Sequence, residues 1–303
     1  MTFSLTILGS SSALPTSKRF PSAHVLNAHE RLFLIDCGEG TQIQLRKYKL
    51  KLSHIDNIFI SHVHGDHTLG LIGLISTLNL LGRKTKLSIF AHASLQPILN
   101  QNILFFINEL NFPIEFIPLN SKKHEVILKT DSIIVESFPL KHRIQCNGFL
   151  FREPTKLPNI KKDAIEKYQL SLTEIVSIKN GSDLISKSGK VIPNSELTFV
   201  SSPPRSYAYC SDTRYFEKLA NYTKDVDLLY HEATFDKSLE KMAKTTGHST
   251  ASQAAQIAKL SNAKKLIIGH YSSRYKDVTP LLNEARLIFP ETYSAEDGHV
   301  FSV

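Results

Sequence analysis

The densest chemistry in the chain is His62, His64, Asp66 and His67, spaced as His-x-His-Gly-Asp-His directly behind the apolar run Ile55 to Ile60. At the end of an extended run, side chains two positions apart point the same way, so His62 and His64 can grip one cation together. Gly65 permits a turn, which turns Asp66 and His67 toward a second position beside the first. Imidazoles mixed with carboxylate oxygens suit zinc, and two ions ~3.5–4 Å apart are a recurring device for attacking phosphoesters. Four side chains cannot fill two four-coordinate sites, so distant segments must supply the rest. Three ligand-type residues stand just beyond apolar runs: His142 after Ser132 to Leu140, Asp212 after Tyr207 to Ser211, and His270 after Leu266 to Gly269.

Such a constellation needs a scaffold of strand ends. Short apolar or alternating runs predict a series of strands from Phe3 to Leu8 through His299 to Val303. Helical periodicity is clearest over Leu69 to Leu81, Leu95 to Ile107, Ala251 to Leu260 and Leu281 to Phe289. Strands outnumber helices and the helices are dispersed among them. The expected fold is therefore α/β, with two mixed sheets face to face and helices outside in a four-layer αββα arrangement. The stretch 152–204 breaks the pattern. It is rich in Lys, Ser, Pro and Asn, with one amphipathic piece at Lys161 to Leu170, and reads as an arm projecting from a single domain spanning 1–303. It is expected to be too short for a core of its own.

Length and composition bound the class. With 303 residues, 42% apolar and 21% charged, a sizeable buried core is affordable and a disordered chain is excluded. No apolar run approaches the ~20 residues of a membrane span. Phe3, Leu5 and Ile7 alternate without basic residues before them, as in a first strand and unlike a signal peptide. Cys37, Cys146 and Cys210 are odd in number and widely spaced, so a reducing, cytoplasmic setting is the default. The net charge of +8 favours a polyanionic partner such as nucleic acid.

Taken in order, these motifs resemble the metallo-β-lactamase superfamily, whose His-x-His-x-Asp-His signature is matched by His62 to His67. Further segments are similar to those of the ribonuclease Z family: Leu34 to Gln42, Ser211-Asp212-Thr213-Arg214, His231-Glu232-Ala233-Thr234-Phe235, Gly247-His248-Ser249-Thr250, and Gly269-His270-Tyr271-Ser272-Ser273-Arg274-Tyr275. The resemblance implies two zinc ions per chain, one on His62, His64 and His142, the other on Asp66, His67 and His270, with Asp212 shared. It implies that Asp66 orients the attacking water and takes its proton, while His248, paired to Glu232, protonates the departing 3′ oxygen. Asp36 is expected to buttress the metal loop without binding metal. The implied substrate is precursor tRNA, trimmed at its 3′ end, and the implied assembly is a homodimer in which one subunit's arm holds tRNA for the other's active site, the apolar helix Leu69 to Leu81 being a candidate contact.

Candidate substrate contacts are Lys18, Arg19, Ser272 and Arg274, with Lys161 and Lys162 on the arm. Two departures from the family pattern stand out. Phe20 replaces a polar residue in the loop Ser10 to Phe20, and the arm carries Leu170-Ser171-Leu172-Thr173-Glu174 where relatives of this length have Gly-Pro. Its basic residues, Lys187 among them, are interspersed with acidic ones. Two other readings remain open at this point: a phosphodiesterase of the same fold acting on another RNA or on a small or cyclic nucleotide, and an RNA-binding protein with structural metals.

Overall fold

The computed structural model describes residues 2–186, 189–200 and 203–303, so Lys187 lies outside the described residues. Alternation in the first strand, Phe3–Gly9, sends Phe3, Leu5 and Ile7 into one core and Leu8 into another. The same division runs through the whole first sheet, whose seven strands lie in the order Val300–Ser302, Phe3–Gly9, Ala23–Ala28, Arg31–Ile35, Ile55–Phe59, Leu87–Ala91 and Ile114–Pro118. A second seven-stranded sheet has the order Thr292–Ser294, Lys265–Gly269, Leu228–Glu232, Ser206–Cys210, Asn147–Arg152, Ile134–Pro139 and Glu125–Lys129.

Aromatic rings join the inner faces. Phe59 of the first sheet lies 5.6 Å and 5.3 Å, centroid to centroid, from Phe149 and Phe151 of the second. On the outer face of the first sheet, Val25, Leu34 and Ile58 pack with Leu45 of helix Thr41–Lys47, Leu74 of helix Gly70–Leu80 and Leu99 of helix Leu95–Phe106. Helices Ala251–Leu260 and Thr279–Arg286 pack together on the other sheet, the first through small buried residues Ala254, Ala255 and Ala258. The expected αββα layering is what forms.

Local departures have local causes. The helix Thr41–Lys47 has only seven residues, too few for apolar periodicity to register. Asp66 and His67 sit on a separate one-turn helix, Gly65–Thr68, ahead of Gly70–Leu80. Gly70 allows that approach: a Cβ there would meet the Gly38 carbonyl oxygen at 2.0 Å. Parallel pairing of Arg31–Ile35 with Ile55–Phe59, and of Ser206–Cys210, Leu228–Glu232 and Lys265–Gly269 with one another, aligns their carboxyl ends.

Residues 153–204 form a second compact unit, the first comprising 1–152 and 205–303. This unit has a small core of its own, with Ala164, Leu170, Ile178, Leu184, Ile192 and Leu197 buried, which corrects the expectation of a stretch too short for one. Besides the helix Lys162–Tyr168, it contains Leu172–Lys179, started by a capping box in which Ser171 accepts from the Glu174 amide and Glu174 accepts from the Ser171 amide. The Ser-x-x-Glu signature of that cap lies within the segment that departs from the family pattern.

Candidate metal centre

Asp212 lies two residues beyond the strand Ser206–Cys210, and its two carboxylate oxygens face different groups. Oδ2 is 3.4 Å from His62 Nε2 and 3.7 Å from His142 Nε2. His64 Nδ1 completes that group, 3.0 Å from His62 Nε2 and 3.3 Å from His142 Nε2. Oδ1 is 3.1 Å from His270 Nε2 and 3.5 Å from His67 Nε2. Asp66 Oδ2 closes the second group, 3.4 Å from His67 Nε2 and 3.5 Å from His270 Nε2. All seven residues singled out from the sequence as metal ligands are thus brought together in two groups sharing one carboxylate.

The donor set fits metal. The donor atoms of His62, His64, His142 and Asp212 lie within 4.8 Å of one another, as do those of Asp66, His67 and His270, and those of Asp212, His248 and His270. His67 Nε2 and His270 Nε2 are buried without a hydrogen-bond partner, a costly arrangement for polar atoms that a cation between them and the carboxylates would relieve. Burial by itself would lower the pKa of His67, yet Asp36, Asp66 and Asp212 raise it well above the ordinary range. Burial would likewise raise Asp212, but the imidazoles of His270, His67 and His62 hold it well below. The centre is a buried concentration of carboxylates that calls for positive charge.

Outer partners decide which nitrogen each imidazole presents. His67 Nδ1 lies 2.7 Å from Asp36 Oδ2. That carboxylate also accepts from the Tyr209 hydroxyl at 2.7 Å, the Ser61 hydroxyl at 2.8 Å and, through Oδ1, the Ser61 amide at 2.7 Å. His270 Nδ1 is 3.0 Å from Thr234 Oγ1, and His142 Nδ1 donates to the Gly247 carbonyl at 2.8 Å. Gly247 ends the helix Glu240–Thr246 at φ +85°, and a Cβ there would meet His142 Nδ1 at 2.9 Å. Asp36 and His270 both adopt left-handed backbone, φ 56° and 58°, a cost of roughly 1–3 kcal/mol each that clusters at functional sites.

His248 stands against both groups, its ring 5.1 Å from His142 and 5.5 Å from His270. Its Nδ1 is 2.9 Å from Glu232 Oε1 and 3.9 Å from Asp212 Oδ2. Glu232 is fully buried at the end of Leu228–Glu232 and also accepts from the amides of Thr213 and Thr234 and the Thr234 hydroxyl. Burial pushes the His248 pKa down, but Glu232 and then Asp212 raise it to about 9. The carboxylate thus favours the protonated imidazole and engages it through Nδ1.

The remaining candidates are more scattered. Lys18 and Arg19 line a cavity of about 300 Å³ with Thr16, Ser17, Ser273, Tyr275 and Lys276. Arg19 donates to the Tyr275 carbonyl and lies over the Tyr271 ring, so it is partly spent on the fold. Ser272 accepts from Arg274 Nε at 3.1 Å, and the Arg274 guanidinium lies over Phe235. On the second unit, Lys161 donates to the Glu196 carbonyl at 2.8 Å, whereas Lys162 is exposed. Sequence reasoning gave no role to Ser61, to Tyr209 or to Thr234 within its motif, nor to the Ala13 amide, which donates to Asp66 Oδ2 at 2.8 Å and as a backbone group carries no residue-type signal.

Comparison with known proteins follows the same lines. The chain is 47% identical over 301 residues to a ribonuclease Z of Phocaeicola vulgatus, covering 99% of this chain and 97% of that one. It is 46% identical over 301 residues to a ribonuclease Z of Bacteroides thetaiotaomicron, covering 99% and 95%. Among solved structures, the short form of human tRNase Z superposes with a TM-score of 0.71 at 28% identity, covering 99% of both chains. A family model described as Anti-Pycsar protein Apyc1 matches residues 3–113, which include His62 to His67 and stop short of His142, Asp212, His248 and His270.

Proposed function

The chain belongs to the ribonuclease Z family, metal-dependent endoribonucleases of tRNA 3′ processing, and from that membership we propose that it hydrolyses precursor tRNA at the 3′ end to release the trailer, using two zinc ions. His62, His64 and His142 would hold one ion, Asp66, His67 and His270 the other, with Asp212 shared. Bound there, the pair supplies charge to neutralise the phosphoryl oxygens and lowers the pKa of water toward neutrality. The single observation that carries this reading is the division of the Asp212 oxygens between two groups of ligands.

The chain's own residues perform the proton transfers. Asp66, whose Oδ2 is fixed by the Ala13 amide, aligns the attacking water and takes its proton as the oxygen–phosphorus bond forms. His248, paired to Glu232, gives a proton to the 3′ oxygen as the phosphorus–oxygen bond breaks. The products are a tRNA 3′ hydroxyl and a trailer with a 5′ phosphate. A purely structural metal site needs neither an oriented proton acceptor nor a buried His–Glu pair, which disfavours the reading as an RNA-binding protein.

Residues 1–303 are read as one metallo-β-lactamase domain carrying the unit 153–204 as an arm for tRNA, with Lys162 and its neighbours supplying phosphate contacts. Lys18 and Arg274 are further candidates for phosphate contact. Leu80 and Leu81 end one helix, and Leu104, Phe105 and Phe106 close another beside it; all are exposed, and an apolar patch of this kind supports a homodimer. Three buried free cysteines and a tRNA substrate support a cytoplasmic setting. Among the described residues no helix is long and apolar enough to cross a membrane. Cleavage-site mapping on a precursor tRNA, with and without its elbow, tests the reading: a single cut at the 3′ end of the acceptor stem is expected, and failure to cut either RNA overturns it.

A further inference from the structure

Beside His248 lies a cavity of about 250 Å³ lined by Arg214, Tyr215, Glu240, Lys244, His248 and Gln253. Its charges are unevenly engaged. Glu240 accepts from Gln253 Nε2 at 3.0 Å, and Gln253 Oε1 in turn accepts from the Thr250 amide at 3.1 Å, capping the helix Ala251–Leu260. Among the described residues Arg214 is anchored through its backbone alone, its amide donating to the Lys141 carbonyl at 2.7 Å and its carbonyl accepting from Thr213 Oγ1 at 3.0 Å. The guanidinium of Arg214 and the ammonium of Lys244 are exposed and, among the described residues, have no carboxylate partner. The cavity therefore presents two unengaged cations and a tyrosine next to His248.

We propose that this cavity binds the nucleotide that carries the leaving 3′ oxygen, with Arg214 and Lys244 holding that nucleotide's own 5′ phosphate and Tyr215 packing against its base or ribose. The inference rests on the ribonuclease Z reading and adds which side of the cut each part of the substrate occupies. His248 has only Nε2 free to deliver a proton, because Nδ1 is held by Glu232. The oxygen that receives the proton is covalently part of the last retained nucleoside, so that nucleoside must lie beside His248, which lines this cavity. A nucleotide there brings a phosphodiester one step 5′ of the cut, and cations without partners are what such a phosphate needs. An aromatic side chain beside them is the usual companion for an unstacked base.

Single-phosphate neutralisation tests this on the intact metal-loaded enzyme. A precursor tRNA is made with a methylphosphonate at the linkage immediately 5′ of the last retained nucleotide, and a second with the same change one linkage 3′ of the scissile bond. For the wild type, the 5′ change should lower kcat/KM by about tenfold, the scale of one lost charge-assisted contact. The Arg214→Ala/Lys244→Ala double variant, verified by metal content and thermal melting, should lose activity on unmodified RNA and show no further loss from the 5′ change. The 3′ change should cost both enzymes equally. An equal loss from the 5′ change in wild type and double variant, or no loss in the wild type, overturns the inference. Failure of the wild type to cleave unmodified precursor tRNA overturns the underlying reading instead, so the two failures are told apart.

Discussion

His248 and Glu232 are joined Nδ1 to Oε1 at 2.9 Å, with the glutamate fully buried and its other oxygen bonded to Thr234. A carboxylate so fixed holds its partner imidazole in one orientation and favours its protonated form. His248→Ala should therefore lower turnover on precursor tRNA by about 10²–10⁴-fold, the range for loss of a general acid, with metal content intact. A diester with a good leaving group, such as bis(p-nitrophenyl) phosphate, should be hurt much less. Equal losses on both substrates would make His248 structural.

The same pair sets a pH dependence. A general acid works only while protonated, so turnover should fall as pH rises through the pKa of His248, which Glu232 and Asp212 raise to about 9 against the effect of burial. Glu232→Gln removes the nearer negative charge and should move that fall to lower pH. The measurement is the alkaline limb of kcat against pH for both enzymes, and coincident limbs would contradict the assigned pairing.

Asp212 serves two groups through separate oxygens, so Asp212→Ala should disturb both ions together, where His142→Ala disturbs one first. Elemental analysis of purified wild type should find close to two zinc equivalents per chain. One ion per chain in a fully active enzyme would rule out the two-metal mechanism.

Tyr209 donates to Asp36, and Asp36 holds His67 by Nδ1. Tyr209→Phe leaves Asp36 its bonds from Ser61 and should weaken metal binding by about tenfold, the lower end for an outer partner of a ligand. The loss should fall on the ion at Asp66, His67 and His270. Competition with a chelator reads the two affinities, and an unchanged profile would remove Tyr209 from the metal-holding network.

Arg152 and Ser206 are paired across neighbouring strands, so residues 154–204 can be replaced by a short Gly-Ser linker without separating those strands. Every proposed metal ligand lies outside the deleted segment. Precursor-tRNA affinity should weaken and its dependence on salt should flatten, because lysine–phosphate contacts carry that dependence. Hydrolysis of a small diester should persist. Unchanged kcat/KM on precursor tRNA would mean that the unit does not hold the RNA.

The sequence by itself determined the ligand types, their placement behind apolar runs and the layered α/β class, because strand alternation, helical periodicity and the His-x-His-x-Asp-His spacing are local properties of the chain. It also marked His248 and Glu232, though only through motif resemblance. Which oxygen of Asp212 faces which group depends on the parallel alignment of three distant strands, and no local pattern encodes that register. The Ala13 amide on Asp66 and the unengaged Arg214 and Lys244 beside His248 come from two loops and a short helix brought together by packing. The small core at 153–204 was missed for a related reason. Five of its six buried residues are spread over short helices and two-residue strands and Leu170 sits between two of the helices, all too brief for any period to show, and only their packing against one another makes them a core.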